Sequence, residues 1–147
     1  MTQEIFDAIW SLRKNSTAAY LSYVDKQGFP NTRAMLILEH DRMKTQYLST
    51  NTSSGKIPAL LANPKASLYY CDPDHYQGAL FVGDIEVCTD AEMKAFLWRE
   101  GFEKYYPKGV TDPDYCVLKL TVHKGSHYHG LHNTAFQPEE LEQPPLA

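Results

Sequence analysis

Cysteine is scarce in this chain of 147 residues: Cys71, Cys88 and Cys116 are odd in number and widely spaced. No Cys-x-x-Cys pair occurs, which removes the usual ligand spacing of a zinc site and the dithiol of a redox exchanger. Each cysteine sits in an apolar, strand-like run, so the expected role is a small buried side chain in a reducing compartment. Basic excess is also missing. A formal charge of −4 and a pI near 5.8 argue against a general nucleic-acid or anionic-membrane surface. No apolar run approaches transmembrane length. The opening M-T-Q-E-I-F-D-A-I-W has neither the basic lead nor the long apolar core of a secretory signal, so a cytoplasmic protein is expected. No internal repeat and no dividing linker are visible. One domain over 1–137 is expected, followed by an acidic, proline-bearing tail over 138–147.

The chain is rich in aromatics: ten tyrosines, six phenylalanines and two tryptophans suit either a β-rich core or a flat aromatic ligand. Helical spacing of Ile5, Phe6, Ile9, Trp10 and Leu12, ending in Arg13-Lys14, predicts an amphipathic helix over 2–14. Strand-formers over 17–24 and 31–39, joined by D-K-Q-G-F-P, predict a hairpin. Further strands are expected over 45–50, 66–71, 79–88 and 115–122, with a shorter one within 127–136. Gly83 in mid-strand signals a bulge or a close approach. Thr89-x-x-Glu92 reads as a capping box opening a helix that runs to about Glu100. Six or seven strands with three helices favour one antiparallel barrel over a doubly wound parallel sheet.

Residues 47–64, Y-L-S-T-N-T-S-S-G-K-I-P-A-L-L-A-N-P, carry the strongest chemical signal. A strand end runs through hydroxyls into Gly55-Lys56 and a short helix with Ile57, Leu60 and Leu61 on one face, which Asn63-Pro64 stops. Free N–H groups at a helix start, flanked by hydroxyls, suit an anion. A lysine in the first turn faces the positive end of the helix dipole, which is unfavourable unless an anion lies there. The plainer reading is an N-cap with a solvated lysine. It is not a nucleotide P-loop, because the first glycine and the Ser/Thr after the lysine are missing. Arg33 lies in an apolar strand. It either points to solvent at a sheet edge or joins Lys56 on a phosphate.

The order of these motifs resembles the FMN-binding split-barrel family related to pyridoxamine 5′-phosphate oxidase, and most closely its general-stress-protein branch. The resemblance spans roughly residues 3–125. It rests on G-F-P-N-T-R-A-M-L, on T-x-x-x-S-x-K at Thr50, Ser54 and Lys56, and on N-P-K-A-S-L-Y-Y, F-V-G-D-I-E-V and D-P-D-Y-C-V-L-K-L. It implies a mainly β, six-stranded antiparallel split β-barrel, a homodimer, and FMN at the subunit interface. By the same resemblance, Arg33, Lys56, Thr50 and Ser54 hold the FMN phosphate, the backbone of Ala34, Met35 and Leu36 runs along the isoalloxazine edge, and Ser49 lines the ring. Gly55 would let the phosphate approach the backbone. The implied activity is oxidoreductase chemistry on an unidentified acceptor. A non-catalytic flavin store, or the same barrel using F420 or haem, are the alternatives.

One departure stands out. The four arginines are Arg13, Arg33, Arg42 and Arg99, so the C-terminal arginine by which the parent oxidase grips its phosphorylated substrate has no counterpart. Lys119 and Lys124 are poor substitutes for a bidentate fork. The late histidines His123, His127, His129 and His132 lack the acidic or cysteine partners of a recognisable metal set. Tyr128 and Phe136 are candidates either for packing or for covering a flavin, and Asp84 with Glu86 reads as a solvated strand face.

Overall fold

The computed structural model describes residues 1–142. Its elements are α1 (Gln3–Asn15), β1 (Ala19–Val24), β2 (Pro30–Met35), β3 (Thr45–Asn51), α2 (Lys56–Ala62), β4 (Lys65–Asp72), β5 (Gln77–Cys88), α3 (Ala91–Leu97), β6 (Tyr115–His129) and β7 (His132–Phe136). The strands form one antiparallel sheet in the order β2-β1-β4-β5-β6-β3, with β7 added beside β6. The sheet curls into a split barrel: antiparallel, as the strand and turn signals lead one to expect, and split, as the family resemblance implies. None of the described helices is long and apolar enough to cross a membrane.

Alternation builds the interior. Leu21, Leu68 and Phe81 stand side by side on neighbouring strands and are fully or almost fully buried. Helix α1 lays Phe6, Ile9 and Leu12 over the core, and α2 adds Ile57, Ala59 and Leu60. Leu61, expected on the same face, is instead 70% exposed. A second cluster, on the other side of β3 and β6, gathers Leu38, Tyr47, Leu97, Phe102, Tyr106, Tyr115 and Val117. The β3–β6 ladder is therefore covered on both faces.

Several expected boundaries move. Strand β2 stops at Met35 rather than Glu39, because residues 36–44 leave the ladder and cross the sheet end. Strand β6 runs on past Val122 to His129 before Gly130 (φ 60°) reverses it into β7. The helix at 91 is capped by Asp90, whose carboxylate accepts from Met93 N–H at 3.0 Å, so the Thr89 capping box does not form. That helix ends at Leu97, short of Glu100. In the expected tail, Pro138–Glu142 forms a 3₁₀ turn that buries Leu141 and brings Glu140 to the N-terminal amine. Residues 143–147 of the expected tail lie outside the described residues.

Phe136 packs on Phe81 in the core (ring centroids 5.9 Å) and is not available to cover a ligand. Asp84 and Glu86 lie on the outer face, where Asp84 meets His123 at 3.0 Å. The three cysteines are unpaired, with Cys88 and Cys116 buried and Cys71 half-buried.

Gly83 marks the bulge. Val82 pairs with Lys124 and Gly83 with Val122, so His123 is the extra residue. A Cβ on Gly83 would stand 1.8 Å from the Thr121 carbonyl oxygen, a backbone atom that cannot step aside. Gly83→Ala is expected to cost about 3 kcal/mol or more in urea unfolding. Gly55→Ala, where a Cβ meets nothing within 4 Å, should change stability by no more than about 0.5 kcal/mol.

Candidate functional site

All eight residues singled out from the sequence fall at the two edges of the sheet. Arg33, Ala34 and Met35 lie on β2, and Leu36 follows its end; Ser49 and Thr50 lie on β3, and Ser54 and Lys56 follow it. These are the strands that the curled sheet leaves unpaired on one side, so their outward N–H and C=O groups have no ladder partner there.

Arg33 pairs across from Leu21 and so takes the face that, further along the sheet, forms the core; at the edge it is exposed. Its only hydrogen bond among the described residues is to the Thr32 carbonyl, at 3.3 Å. Lys56 is half-buried, and its ammonium donates to Ser54 Oγ at 2.9 Å. Burial lowers the Lys56 pKa from the ordinary lysine value, and the positive charge of Arg33 lowers it further. Lys56 thus lies within electrostatic reach of Arg33, which stands on the edge strand at the other end of the sheet order. Neither has a carboxylate within ion-pair distance among the described residues. Thr50 is buried on the interior face opposite Cys116, whose thiol reaches the Thr50 carbonyl at 3.6 Å.

The structure also separates some of the candidates. Ser49 points to the opposite side of β3 from Thr50, into the aromatic cluster beside the Tyr106 hydroxyl. The side chain of Ala34 points away from that of Arg33, and Leu36 is 53% exposed beyond the strand end.

The free N–H groups expected at the helix start are mostly taken. Ser53 N–H donates to the Asp114 carboxylate at 2.8 Å, Ser54 N–H to the Asn51 carbonyl at 3.0 Å, and Ile57 N–H to the Ser54 carbonyl at 3.1 Å. Gly55, the N-cap, has helical φ of −60° and makes no side-chain cap. An anion here would therefore be held by side chains: Arg33, Lys56 and the Ser54 hydroxyl. The protein chain makes no conformational demand for glycine at 55, which leaves that space open to a ligand.

Sequence reasoning missed the clamp that places Leu36. Segment 36–44 is tied down by three arginines. Arg13 donates to the His40 and Arg42 carbonyls, and Arg99 to the Glu39 carbonyl at 2.7 Å. Arg42 stacks on Phe96, 4.2 Å from the ring centre, and donates to Tyr47 Oη at 2.8 Å. Only the buried Arg13 within an otherwise apolar helix face hinted at this. His40, enclosed by these groups, has its pKa pushed down to about 3 by burial first and then by Arg13, Arg99 and Arg42.

A cavity of about 720 Å³ lies between α1 and the Pro73–His75 turn, and one of about 390 Å³ touches Gly55 but none of the eight candidates. His127 is buried and hydrogen-bonds Gln77 Oε1 at 3.0 Å, 6.5 Å from the His129 ring centre to centre.

Comparison with known proteins follows the same lines. Residues 4–137 match a family model described as "Pyridoxamine 5′-phosphate oxidase like". A Clostridium acetobutylicum structure, described as related to general stress protein 26 of B. subtilis (pyridoxinephosphate oxidase family), is 35% identical with a TM-score of 0.87, covering 96% of this chain and 99% of that one. General stress protein 26 from Bacillus anthracis is 16% identical with a TM-score of 0.75, covering 91% and 98%. A haem-binding protein from Mycobacterium smegmatis is 18% identical with a TM-score of 0.67, covering 93% and 58%. No curated protein sequence is similar enough to match.

The His40 environment yields a pH prediction. A folded pKa below the unfolded value means that the unfolded chain binds more protons between the two, so stability rises with pH there. His40's contribution is complete above about pH 6.5 and is lost as pH falls toward about 3, at up to about 1.4 kcal/mol per pH unit. Urea midpoints between pH 6.5 and 4 should fall less steeply in His40→Asn than in the wild type; equal slopes would contradict the assignment.

Proposed function

This chain belongs to the pyridoxamine 5′-phosphate oxidase-like family, and on that premise we propose that it is an FMN-binding protein acting as an oxidoreductase on an unidentified acceptor. The observation that carries the reading is that half-buried Lys56 lies within reach of the Arg33 charge, with no carboxylate within ion-pair distance of either among the described residues. Two like charges brought together at a partly desolvated place raise the free energy of the empty protein, and a dianionic phosphate monoester reverses that. The donor set suits such a group. Arg33 supplies a planar fork, Lys56 a point charge, and the Ser54 hydroxyl, already within reach of Lys56, a further donor.

FMN, when bound, supplies hydride or electron transfer. The chain's own part is to bind and orient. Unpaired backbone groups along Ala34, Met35 and Leu36 can read a ring edge that offers both donors and acceptors. The arginine-clamped segment after Leu36 fixes where that edge strand ends. Ser49, held beside Tyr106, lies on the far face of β3 and is assigned to the ring rather than the phosphate.

The site is open in one chain, and a second copy would close it. The outer face of β1, β4, β5 and β6 supports a homodimer. Tyr20, Tyr69 and Leu80 lie in register across three strands, with Val82 and Tyr128 beside them, where a solvated sheet would carry polar residues. Sedimentation analysis is expected to give a dimer, and a monomer at micromolar concentration would remove this part of the proposal.

FMN content tests the assignment. The protein is expected to purify with, or to take up, one FMN per chain and to show a flavin spectrum. Arg33→Ala/Lys56→Ala should weaken FMN binding by about a hundredfold or more. A haem spectrum, which the description of the M. smegmatis neighbour makes the pertinent alternative, would overturn the cofactor, and retained FMN in the double variant would overturn the site. Reoxidation of the reduced protein by some acceptor faster than free FMN is the expected mark of an enzyme rather than a store. Because no arginine follows Arg99, turnover of pyridoxamine 5′-phosphate is expected to be negligible beside that of a true oxidase.

A further inference from the structure

We propose that Asp114 is the positioning residue for phosphate recognition, holding the turn Asn51–Ser54 so that Ser54 and Lys56 face Arg33. The proposal rests on the phosphate reading given above. Asp114 stands at the start of β6, yet its bonds cross to the turn that follows β3. Its Oδ1 accepts from Ser53 N–H at 2.8 Å, its Oδ2 from Asn51 Nδ2 at 3.0 Å, and its carbonyl from Thr52 N–H at 2.8 Å. Three consecutive residues of the turn are thus tied to one residue. Asp114 is itself fixed: its N–H donates to Asp112 Oδ1 at 2.9 Å, and the carbonyl of the buried Asp112 accepts from Lys94 Nζ at 2.9 Å.

The turn's other hydrogen bonds are local. Thr52 Oγ1 is buried without a hydrogen-bond partner among the described residues. Ser54 N–H donates to the Asn51 carbonyl, and Lys56 N–H and Nζ to Ser54 Oγ, while Ile57 N–H donates to the Ser54 carbonyl and joins the turn to α2. The hydrogen bonds from Ser53 and Asn51 keep the Asp114 carboxyl below the usual carboxylate range, so it is ionised wherever the protein is folded near neutrality.

The sign of the effect separates this role from plain electrostatics. Asp114 brings a negative charge near a site assigned to an anion. By Coulomb's law alone, neutralising it should tighten phosphate binding. Positioning requires the opposite. In Asp114→Ala, the acceptors of Ser53 N–H and Asn51 Nδ2 are removed together with the charge, so both ties are lost and the turn is released.

The test is the dissociation constant for FMN and for riboflavin, which lacks the phosphate, read by flavin fluorescence on the wild type, Asp114→Ala, and the exchange Asn51→Asp/Asp114→Asn. In the exchange, the amide at 114 donates to the carboxylate at 51 and still accepts from Ser53 N–H, so both ties are kept. The expected result is about a tenfold or greater loss of FMN affinity in Asp114→Ala. Riboflavin affinity should stay within about twofold, and the exchange should keep FMN preference. Unchanged or tighter FMN binding in Asp114→Ala would overturn the proposal, as would equal losses for both flavins. If the single variant does not fold, a folded exchange variant that lacks FMN preference would overturn it, and one that keeps it supports it. A wild type that does not distinguish FMN from riboflavin would instead overturn the phosphate reading on which this proposal stands.

Discussion

A sheet that curls without closing must leave two strand edges unpaired, and in this protein those edges determine where the chemistry can lie. Hydrogen-bonding groups on β2 and β3 that a closed barrel would consume remain available. Arg33 stands on one edge, and the turn carrying Ser54 and Lys56 leaves the other. Curvature brings the two cations near enough for Arg33 to depress Lys56. On the proposed function, an anion of phosphate character is what relieves their repulsion.

Everything around the split serves to hold it at a set width. Arg13 and Arg99 grip the segment that follows β2 by its carbonyls, and Arg42 braces that segment against Tyr47 and Phe96. On the other side, Asp114 and the buried Lys94–Asp112 contact hold the turn after β3. The aromatic cluster of Tyr106, Tyr115, Trp98 and Phe102 lies between these supports and fills the far face of β3. Arg13 and Arg99 are therefore spent on main-chain carbonyls, and Arg42 on the Tyr47 hydroxyl and the Phe96 ring. Arg33 alone is left without such a commitment beyond the neighbouring Thr32 carbonyl.

Much of this fold was legible in the sequence because it depends on period and punctuation. Runs of strand formers located β1, β4 and β5, and Gly83 announced a bulge or a close approach. What period cannot carry was misjudged. Leu36–Leu38 continue the apolar run of β2 but leave the ladder, where two arginines far apart in sequence, Arg13 and Arg99, capture the backbone just beyond, at Glu39, His40 and Arg42. Thr89 and Glu92 fit the capping pattern, yet the adjacent Asp90 competes for the same N–H and forms the cap. The site was legible as a list of residue types but not as an arrangement. Hydroxyls beside a glycine and a lysine suggested free N–H groups, whereas a carboxylate 61 residues downstream of Ser53 had already taken one. Long-range polar contacts of this kind leave no local pattern, so Asp114 and Tyr106 could only be found in three dimensions.

The central claim is that the split between β2 and β3 receives a flavin phosphate. A crystal structure of the protein with FMN tests it most directly. The account predicts the phosphate between the Arg33 guanidinium and the Lys56 ammonium, within hydrogen-bond distance of both, with the ring toward Ala34–Leu36. A phosphate bound elsewhere, or a structure in which Arg33 and Lys56 contact no part of the cofactor, would contradict it.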